Sequence, residues 1–294
     1  MKSGFVSIVG RPNVGKSTLL NKLMNQKIAI TSDKVGTTRN NIYGVYHEKD
    51  YQIIFVDTPG IQKERNKLGF LLNKKAYESF FNDLVLFIID ASTSFGPNDQ
   101  KILDKLKKDE KEVILVLNKV DKLKKEQIIK EIEKVKDLYN FVAIVPISSL
   151  KGDNVKELLK VIKENLKDEV KYFEDETITN VSERFMVSEI IREKILNKTY
   201  DEIPHSVTVM LEKLEFKKEV VVINALIIID KANIKKIIIG KNGSMLKAIG
   251  QAAREELELY FNKKVYLELF VKTIENWQDR EKVLKELGLT ELDE

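Results

Sequence analysis

The octapeptide GRPNVGKS, residues 10–17, combines residue types and spacings that suit the binding of phosphate groups. It fits the pattern G-x-x-x-x-G-K-[ST] between an apolar run and a helix-like run, which is the context that this pattern requires. Its glycines let successive main-chain N–H groups point at phosphate oxygens, and the following helix directs the positive end of its dipole at them. Lys16 adds a positive charge, and Ser17 adds a hydroxyl ligand for Mg²⁺. The predicted contacts are Gly10, Arg11, Pro12, Asn13, Val14, Gly15, Lys16, Ser17 and Thr18.

The segment DTPG, residues 57–60, ends a second apolar run and contains two groups that can serve the same ligand. The carboxylate of Asp57 can hold Mg²⁺ through water, opposite Ser17. The main-chain N–H of Gly60 can approach a γ-phosphate without obstruction by a side chain. D-x-x-G alone is a common turn sequence, but the upstream loop favours a nucleotide site that includes Asp57, Thr58, Pro59 and Gly60.

The tetrapeptide NKVD, residues 118–121, closes a third apolar run and discriminates between bases. The carboxylate of Asp121 suits the N1–H and N2–H donors of guanine, whereas adenine offers no such pair. Asn118 can tie the base to neighbouring loops, and the apolar stem of Lys119 can cover its face. After the last apolar run, ISS at residues 147–149 can offer a main-chain N–H to the guanine carbonyl. The sequence therefore favours GTP and GDP over ATP, with base contacts at Asn118, Lys119, Asp121, Ser148, Ser149 and Leu150.

A second glycine-bracketed loop, GKNG at residues 240–243, lacks a lysine–serine pair and is predicted to grip a polymer backbone. Residues 231–247 carry five lysines and no acidic residue. The following helix has apolar residues at i, i+3, i+4 spacing, and its N-terminus adds favourable potential for phosphate. An isolated G-K-x-G is more often a surface turn, so the flanking helices carry this interpretation. The predicted contacts are Lys231, Lys235, Lys236, Gly240, Lys241, Asn242, Gly243, Lys247 and Arg254.

Five apolar runs alternate with helix-like runs in the first half of the chain. FVSIVG, IIFVDT, LVLFIID, VILVLN and VAIVPIS read as buried parallel strands, since half-exposed strands would alternate polar and apolar residues. The alternation predicts an α/β domain with a mostly parallel, doubly wound sheet and a ligand at the carboxyl ends of its strands. Residues 43–47 and 51–56 predict a local antiparallel hairpin. We place this domain at residues 1–168 and a charged linker at residues 169–183.

The order of elements changes after the linker. A helix at 185–197, strands at 206–216 and 220–230, the glycine loop with its flanking helices and a strand at 265–272 predict a smaller α+β domain. We place it, with a C-terminal helix, at residues 184–294. We expect nucleic-acid bases to lie beside the run IIIG and the strand 220–230. Such a shallow surface suits unpaired RNA, and the sequence shows no recognition helix or zinc finger for duplex DNA.

Composition excludes several other classes of site. The chain of 294 residues has no cysteine, which excludes disulfides, thiolate nucleophiles and cysteine metal ligands. Its two histidines, His47 and His205, read as ordinary surface or turn residues rather than metal ligands. The net charge of +4 does not by itself indicate a nucleic-acid partner. No apolar run approaches the roughly 20 residues of a membrane span, so we expect a soluble, cytoplasmic protein.

Several motifs together resemble the Era family of GTPases, and the likeness extends over nearly the whole chain. They are TTR at residues 37–39, DTPG, NKVD, PISSLKGDN and SERFMVSEIIREKI. The resemblance implies a P-loop GTPase domain followed by a type II KH domain, whose G-x-x-G loop clamps about four nucleotides of single-stranded RNA. It also implies that Thr38 closes over Mg²⁺ and the γ-phosphate, so that Lys16, Thr38 and Gly60 form the catalytic set. Ser149 stands where relatives commonly have alanine.

Residue 61 leads us to expect slow hydrolysis. Many GTPases have glutamine directly after D-x-x-G, whereas this chain has Ile61, whose side chain cannot orient water. Hydrolysis then depends on Lys16, Mg²⁺ and loop N–H groups, accelerated by a partner that orders the switch segments. In related GTPases with an asparagine at the position of Asn13, K⁺ supplies charge, which makes K⁺ a candidate ion here. The alternative is that Asn13 stabilises the turn.

The resemblance implies a GTP-controlled switch that binds the 3′ end of small-subunit ribosomal RNA and assists assembly of the 30S subunit. We expect a monomer, and peripheral contact with the inner face of the cell membrane stays open. One alternative is a GTPase of tRNA modification, whose relatives share NVGKS and TTR but usually carry additional helical domains. The other is an RNA chaperone with a vestigial nucleotide site. The RNA-chaperone alternative is opposed by the intact nucleotide-site residues Lys16, Ser17, Asp57, Asn118 and Asp121.

Overall fold

The apolar runs of the first half of the chain form the strands of one sheet. A computed structural model of the chain describes residues 1–34, 36–61, 66–78, 84–200, 203 and 206–289. The strands of this sheet are β1 (Lys2–Val9), β2 (Ile42–Glu48), β3 (Tyr51–Asp57), β4 (Leu84–Asp90), β5 (Glu112–Asn118) and β6 (Ala143–Pro146). Their order is β2-β3-β1-β4-β5-β6, with β2 antiparallel to β3 and the other pairs parallel. The predicted sheet and its hairpin are therefore confirmed.

Burial on both faces explains why these strands are apolar throughout. All seven residues of β4 are buried. Val85, Phe87 and Ile89 share one core cluster with helix residues, while the side chains between them point to the opposite face, because side chains alternate along a strand. The helices of this half are α1 (Lys16–Met24), α2 (Lys67–Glu78), α3 (Pro97–Lys108), α4 (Lys125–Val135) and α5 (Val155–Glu164).

The loops that carry the nucleotide motifs follow the carboxyl ends of β1, β3, β5 and β6. Strand β1 ends at Val9, just before the glycine loop. Strands β3 and β5 end at Asp57 and Asn118, the first residues of the DTPG and NKVD motifs. Since parallel strands place their carboxyl ends at one edge of the sheet, the fold brings these motifs together.

The second half of the chain forms a smaller sheet whose one face is covered by helices. Its strands are β7 (Val207–Phe216), β8 (Val220–Ile229) and β9 (Lys264–Thr273), and its helices are α6 (Glu183–Lys198), α7 (Ala232–Ile239), α8 (Ser244–Phe261) and α9 (Glu281–Glu286). The central strand β8 is antiparallel to β7 and parallel to β9. Apolar residues of α6, α7 and α8 share one core cluster with the sheet, which includes Ile190, Ile234 and Ile249 of the helices and Ile223 of β8. The expected α+β arrangement is confirmed.

Contacts within the chain define two compact units. Among the described residues, the first unit comprises residues 1–29, 38–61 and 72–180, and the second comprises 30–37, 66–71 and 181–289. Most of the segment that we expected as a linker thus belongs to the first unit. The side chain of Gln52 accepts hydrogen bonds from the main chain of Tyr172 and Phe173, and Val45 N donates to Ile178 O. Domain limits at residues 168 and 184 stay a prediction.

Two smaller expectations concern histidines and membrane spans. Nε2 of His47 lies 2.9 Å from the main-chain oxygen of Thr177, so the imidazole ring of His47 has a hydrogen-bond partner in the first unit. His205 lies outside the described residues. Within the described part of the chain, no helix combines the length and apolar character needed to cross a bilayer.

Candidate functional site

The loop between β1 and α1 has no room for side chains at its two predicted glycines. A Cβ atom at Gly10 would lie 2.4 Å from the main-chain oxygen of Ile88. Gly15 has a φ of +101°, and a Cβ atom there would lie 2.3 Å from Nδ2 of Asn118. Both positions therefore require glycine, because β4 and the end of β5 approach the loop closely. Helix α1 begins directly after the loop, so its unpaired N–H groups and dipole are available to an anion.

The side chain of Lys16 folds back over its own loop. Its Nζ donates hydrogen bonds of 3.1 Å to the main-chain oxygens of Gly10 and Arg11. Burial lowers the pKa of Lys16 to about 8, although the nearby carboxylate of Asp57 acts in the opposite direction. The loop carbonyls thus hold a cationic group where the glycine loop can present it to phosphate.

Three oxygen-bearing side chains meet beside the loop. Ser17 Oγ donates to Oδ2 of Asp57 at 2.6 Å and lies 2.9 Å from Oγ1 of Thr38, which itself lies 3.4 Å from the same carboxylate oxygen. Asp57 is fully buried, and burial raises its pKa to about 6 against the effects of Lys16 and both hydroxyl groups. Its Oδ1 has no hydrogen-bond partner in the described part of the chain. The two hydroxyls beside Oδ2 and the unpaired Oδ1 of this buried carboxylate form a set of oxygen donors that fits Mg²⁺.

The side chain of Asn118 joins two loops of the candidate base site. Its Nδ2 donates to Val14 O at 2.7 Å, and its Oδ1 accepts from Ser149 N at 3.0 Å and Ser149 Oγ at 2.9 Å. Ser148 Oγ donates to Oδ1 of Asp121 at 2.6 Å, which fixes the carboxylate predicted to accept from guanine. The structure therefore brings the NKVD motif, the loop after β6 and the phosphate loop into one place.

Two acidic residues at this site were not among the sequence predictions. Asp90 ends β4 beside Asn118 in the sheet register, and its Oδ2 lies 2.6 Å from Nζ of Lys119. Lys119 also donates to Asn13 O at 2.6 Å, which ties the base motif to the phosphate loop. Burial opposes ionisation of Asp90, but the hydrogen bonds from Lys119 and Ser92 outweigh it and lower its pKa. An acid at the carboxyl end of a buried strand is the sequence signal that would have indicated it.

The second acid is Asp99, at the start of α3. It is fully buried, and its Oδ1 lies 3.4 Å from Nε of Arg11. Arg11 also donates to the hydroxyl of Thr93. Through these two contacts, Arg11 anchors the phosphate loop to Thr93 and to the start of α3, in addition to supplying a positive charge. No spacing in the sequence links these residues.

The remaining predicted residues occupy the rim and floor of the site. Thr58 Oγ1 donates to Ile8 O at 3.0 Å, and a Cβ atom at Gly60 would lie 3.0 Å from Pro12. Pro59 is buried, Thr18 is half-buried, and Leu150 is exposed. Ile61 packs against the core cluster of the first unit.

The GKNG loop of the second unit has positive φ angles, which glycine adopts without strain. Gly240 and Gly243 have φ values of +75° and +76°, and Asn242 has a φ of +51°. A Cβ atom at Gly240 would lie 2.8 Å from Met245, whereas no atom lies within 4 Å of a Cβ atom at Gly243. The surface above Gly243 is thus open to a ligand's backbone.

An open groove of about 560 Å³ runs from this loop between α8 and β9. Gly243, Lys247, Gly250 and Arg254 line one side, and Leu267 and Leu269 line the other. The apolar wall of this groove comes from the edge strand β9, while β8 is the central strand, with β7 and β9 paired to its two edges. That bases lie beside the strand at residues 220–230 stays a prediction.

The predicted basic contacts surround the loop and the groove. Of the five lysines and one arginine predicted to contact RNA, all are exposed except Lys235, which is half-buried. None of these six side chains forms an ion pair with a carboxylate in the described ranges. Gln251, beside the groove, is hydrogen-bonded to Glu255. The residues are Lys231, Lys235, Lys236, Lys241, Lys247 and Arg254.

Comparisons with known proteins find matches to both halves of the chain. A family model described as "50S ribosome-binding GTPase" matches residues 5–119, and one described as "KH domain" matches residues 202–278. The chain is 48% identical over 291 residues to the protein named GTPase Era of Clostridioides difficile (strain 630), with 98% of each chain covered.

Two solved structures of Era are also similar. One is a variant of Aquifex aeolicus Era bound to GDP and AlF₄⁻, with 40% identity, a TM-score of 0.94 and coverage of 99% of this chain and 100% of that one. The other is Era in complex with MgGDPNP and nucleotides 1506–1542 of 16S ribosomal RNA, with 40% identity, a TM-score of 0.95 and 99% of each chain covered. The chain, with its P-loop GTPase domain followed by a KH domain, therefore belongs to the Era family of GTPases.

Proposed function

We propose that the chain is a GTP-hydrolysing switch that binds the single-stranded 3′ end of small-subunit ribosomal RNA and assists assembly and maturation of the 30S subunit. The observation that carries the proposal is one chain with both a connected guanine-nucleotide site and an open, basic-rimmed groove beside a G-x-x-G loop. A relative with 40% identity over 99% of this chain was solved with MgGDPNP and 16S ribosomal RNA.

The two alternatives have less support. Relatives match this chain through its KH half as well as its GTPase half, which favours the proposed function over tRNA modification. A vestigial nucleotide site would not preserve the bonded arrangement of Asn118 with Val14 and Ser149, or the cluster around Asp57.

In the proposed nucleotide complex, the residues of the phosphate loop hold the phosphates and the NKVD motif holds guanine. Asp121 accepts hydrogen bonds from guanine N1–H and N2–H with a carboxylate that Ser148 fixes in place. The amide of Asn118 bonds to Val14 and Ser149 and so positions the two loops, and the second N–H of its Nδ2 can donate to the base. Lys119, held by Asp90, covers the base with its apolar stem.

Hydrolysis is assigned to Lys16, Thr38 and Gly60. Ser17, Thr38 and Asp57 would hold Mg²⁺, which supplies neutralisation of charge on the β- and γ-phosphates when bound. Lys16 adds the charge of its buried ammonium, and the main-chain N–H of Gly60 would donate to the γ-phosphate. Ile61 packs against the core and offers no group that orients water, so we propose slow intrinsic turnover accelerated by a partner.

The proposal extends to the setting in which the protein works. The GTPase domain at residues 1–168 and the KH domain at residues 184–294 would act together in a cytoplasmic monomer. Sedimentation with lipid vesicles would test peripheral contact with the inner face of the membrane.

Asn13 has a φ of +66°, and its main-chain oxygen accepts a hydrogen bond from Lys119. If K⁺ supplies charge beside Asn13, GTP turnover should be faster in K⁺ buffer than in Na⁺ buffer. Equal turnover in the two buffers would refute a role of K⁺.

Nucleotide and RNA titrations of the full-length chain test the proposal. We expect GTP to bind at least about 10⁴-fold more tightly than ATP, since a buried polar site rejects a ligand that leaves its groups unpaired. We also expect binding of unpaired RNA from the 3′ end of small-subunit rRNA, and no comparable binding of the same sequence in a duplex. Equal affinity for GTP and ATP would refute the nucleotide half, and indifference to unpaired RNA would refute the other half.

A further inference from the structure

The outer face of strand β9 carries two exposed aromatic rings outside the groove. Tyr266 and Phe270 have 54% and 48% of their surface exposed. Because side chains alternate along a strand, they point away from the face that the helices cover. The alternate residues belong to the helix-covered core or pack against it: Val265, Leu267, Leu269 and Val271.

The sheet provides a floor for these rings. In the strand register, Phe270 lies beside Leu226, which in turn lies beside Met210. Tyr266 lies beside Val222 in the same way. The four-residue separation of the rings corresponds to about 13 Å along a strand, which is enough for two separate bases.

The charges on this face favour an anionic ligand. Lys264 and Lys272 are exposed at the two ends of the same strand face, and the nearest carboxylate to Lys264 in the described chain is that of Glu258, at 3.9 Å. Glu268 lies between the rings, but its two oxygens accept hydrogen bonds from Tyr266 Oη at 2.8 Å and Asn224 Nδ2 at 3.0 Å. Glu268 is thus engaged within the sheet. Glu215 of β7, in the same row as Val222 and Tyr266, is paired with Lys213 at 2.7 Å, while Lys264 and Lys272 remain at the ends of β9.

We infer that Lys264, Tyr266, Phe270 and Lys272, here called the β9 strip, form a second RNA-binding surface on which bases of the strand leaving the groove stack. The inference rests on the proposed RNA-binding function. Strand β9 is an edge strand, and its other face supplies Leu267 and Leu269 to the groove. An RNA strand that passes over this edge therefore moves from one surface directly to the other.

Single-stranded RNA fits the β9 strip better than a protein partner does. Stacking on aromatic rings accepts any base, and flanking lysines contact the phosphates. A protein interface would need a continuous apolar centre, whereas polar residues such as Asn224, Glu268 and Lys213 interrupt this face. The strip would then extend the length of RNA that the protein holds without adding sequence specificity.

Fluorescence anisotropy with the full-length chain and two lengths of RNA tests the inference. The short RNA has about six nucleotides from the 3′ end of small-subunit rRNA, enough to fill the groove. The long RNA adds about six unpaired nucleotides, in one version for each end. The variants are Tyr266→Ala with Phe270→Ala, the conservative Phe270→Tyr, and Leu259→Ala as a matched control, since Leu259 is 83% exposed on α8.

We expect the double variant to bind one of the long RNAs at least about fivefold more weakly, which is the lower limit for one lost stacked base. Its affinity for the short RNA should match that of the unchanged protein. Phe270→Tyr keeps a ring and Leu259→Ala leaves the strip intact, so both should bind all RNAs normally.

Other outcomes overturn the inference in distinguishable ways. Unchanged affinity of the double variant for both long RNAs would remove the β9 strip and leave the groove intact. An equal loss with short and long RNA would place the rings in the groove's own function. Loss of self-association in sedimentation, with RNA binding unchanged, would assign the face to a second copy of the chain. If the unchanged protein bound none of the RNAs, the proposed function itself would fail, and the strip with it.

Discussion

The side-chain amide of Asn118 holds two loops of the nucleotide site at once. Its three hydrogen bonds reach Val14 of the phosphate loop and Ser149 of the loop after β6. Asn118 is almost fully buried, so water cannot replace a partner that is removed. A change at this residue therefore disturbs the phosphate and base contacts together.

Asn118→Ala and Ser149→Ala should differ sharply in GTP affinity. Asn118→Ala leaves the Val14 carbonyl and the Ser149 N–H unpaired, and we expect guanine-nucleotide binding to fall by more than about tenfold. Ser149→Ala removes the hydroxyl but keeps the main-chain N–H bond, so we expect a loss of about 1 kcal/mol in stability and nearly normal GTP affinity. Calorimetric titration and thermal unfolding measure both. A Ser149→Ala protein as defective as Asn118→Ala would contradict this assignment.

Asp57 illustrates a residue kept for function at a cost in stability. Its Oδ1 is buried without a hydrogen-bond partner in the part of the chain described, which is unfavourable for a carboxylate. Asp57→Asn removes the charge while keeping the shape. We expect the unfolding temperature in EDTA to be unchanged or higher, and the Mg²⁺ dependence of GTP affinity to disappear.

The comparison that checks this prediction is GTP affinity with and without Mg²⁺ in the unchanged and Asp57→Asn proteins. Ser17→Ala, which removes a hydroxyl from the same cluster, should also weaken the Mg²⁺ dependence. A Mg²⁺ effect of equal size in the Asp57→Asn protein would show that this carboxylate is not part of the metal site.

Among the elements, the buried strands were the most predictable from the sequence. β1, β3, β4 and β5 are continuous apolar runs, because helices cover both faces of their sheet. The carboxyl ends of β1, β3 and β5 carry the motifs from which the local patterns alone predict the phosphate and base contacts.

The features that the sequence did not predict depend on long-range pairing. Asp90 meets Lys119 because β4 and β5 are neighbours in the sheet, and Gln52 binds residues 172–173 from far along the chain. The wall of the RNA groove comes from β9 because the strand order puts β8 in the centre. Periodicity shows that a strand exists, but it does not show which strand lies at an edge.

The GKNG element should tolerate charge removal better than glycine replacement. Lys241 and Lys247 are exposed, so Lys241→Ala with Lys247→Ala should leave the fold intact and weaken RNA binding several-fold, with a salt slope smaller by up to about 0.7 per lost phosphate contact. Gly240→Asp with Gly243→Asp should abolish RNA binding, because the positive φ values and Met245 leave no room at Gly240.

RNA titrations at several salt concentrations, with GTP affinity as the control, measure these effects. GTP affinity should stay normal in both double variants, because their substitutions lie in the second unit. Lys218→Ala, at the turn between β7 and β8, is a matched control for the removal of an exposed lysine. Equal RNA affinity of the lysine double variant and the unchanged protein would remove Lys241 and Lys247 from the interface.

At the scale of the whole molecule, a switch requires that the nucleotide site and the RNA groove be energetically coupled. If RNA changes the affinity for GTP, then GTP changes the affinity for RNA by the same factor, because coupling free energy is reciprocal. The similarity of this chain to Era over 98% of its length covers both sites together. The account therefore predicts that RNA in the KH groove alters the behaviour of GTP in the GTPase unit.

The most direct measurement is the rate of GTP turnover by the full-length chain, with and without unpaired RNA from the 3′ end of small-subunit rRNA. The account predicts slow turnover of GTP alone, a marked acceleration by this RNA, and no acceleration in the Gly240→Asp, Gly243→Asp protein. A rate that stays the same at saturating RNA would contradict the claim that this chain is an RNA-coupled GTPase switch.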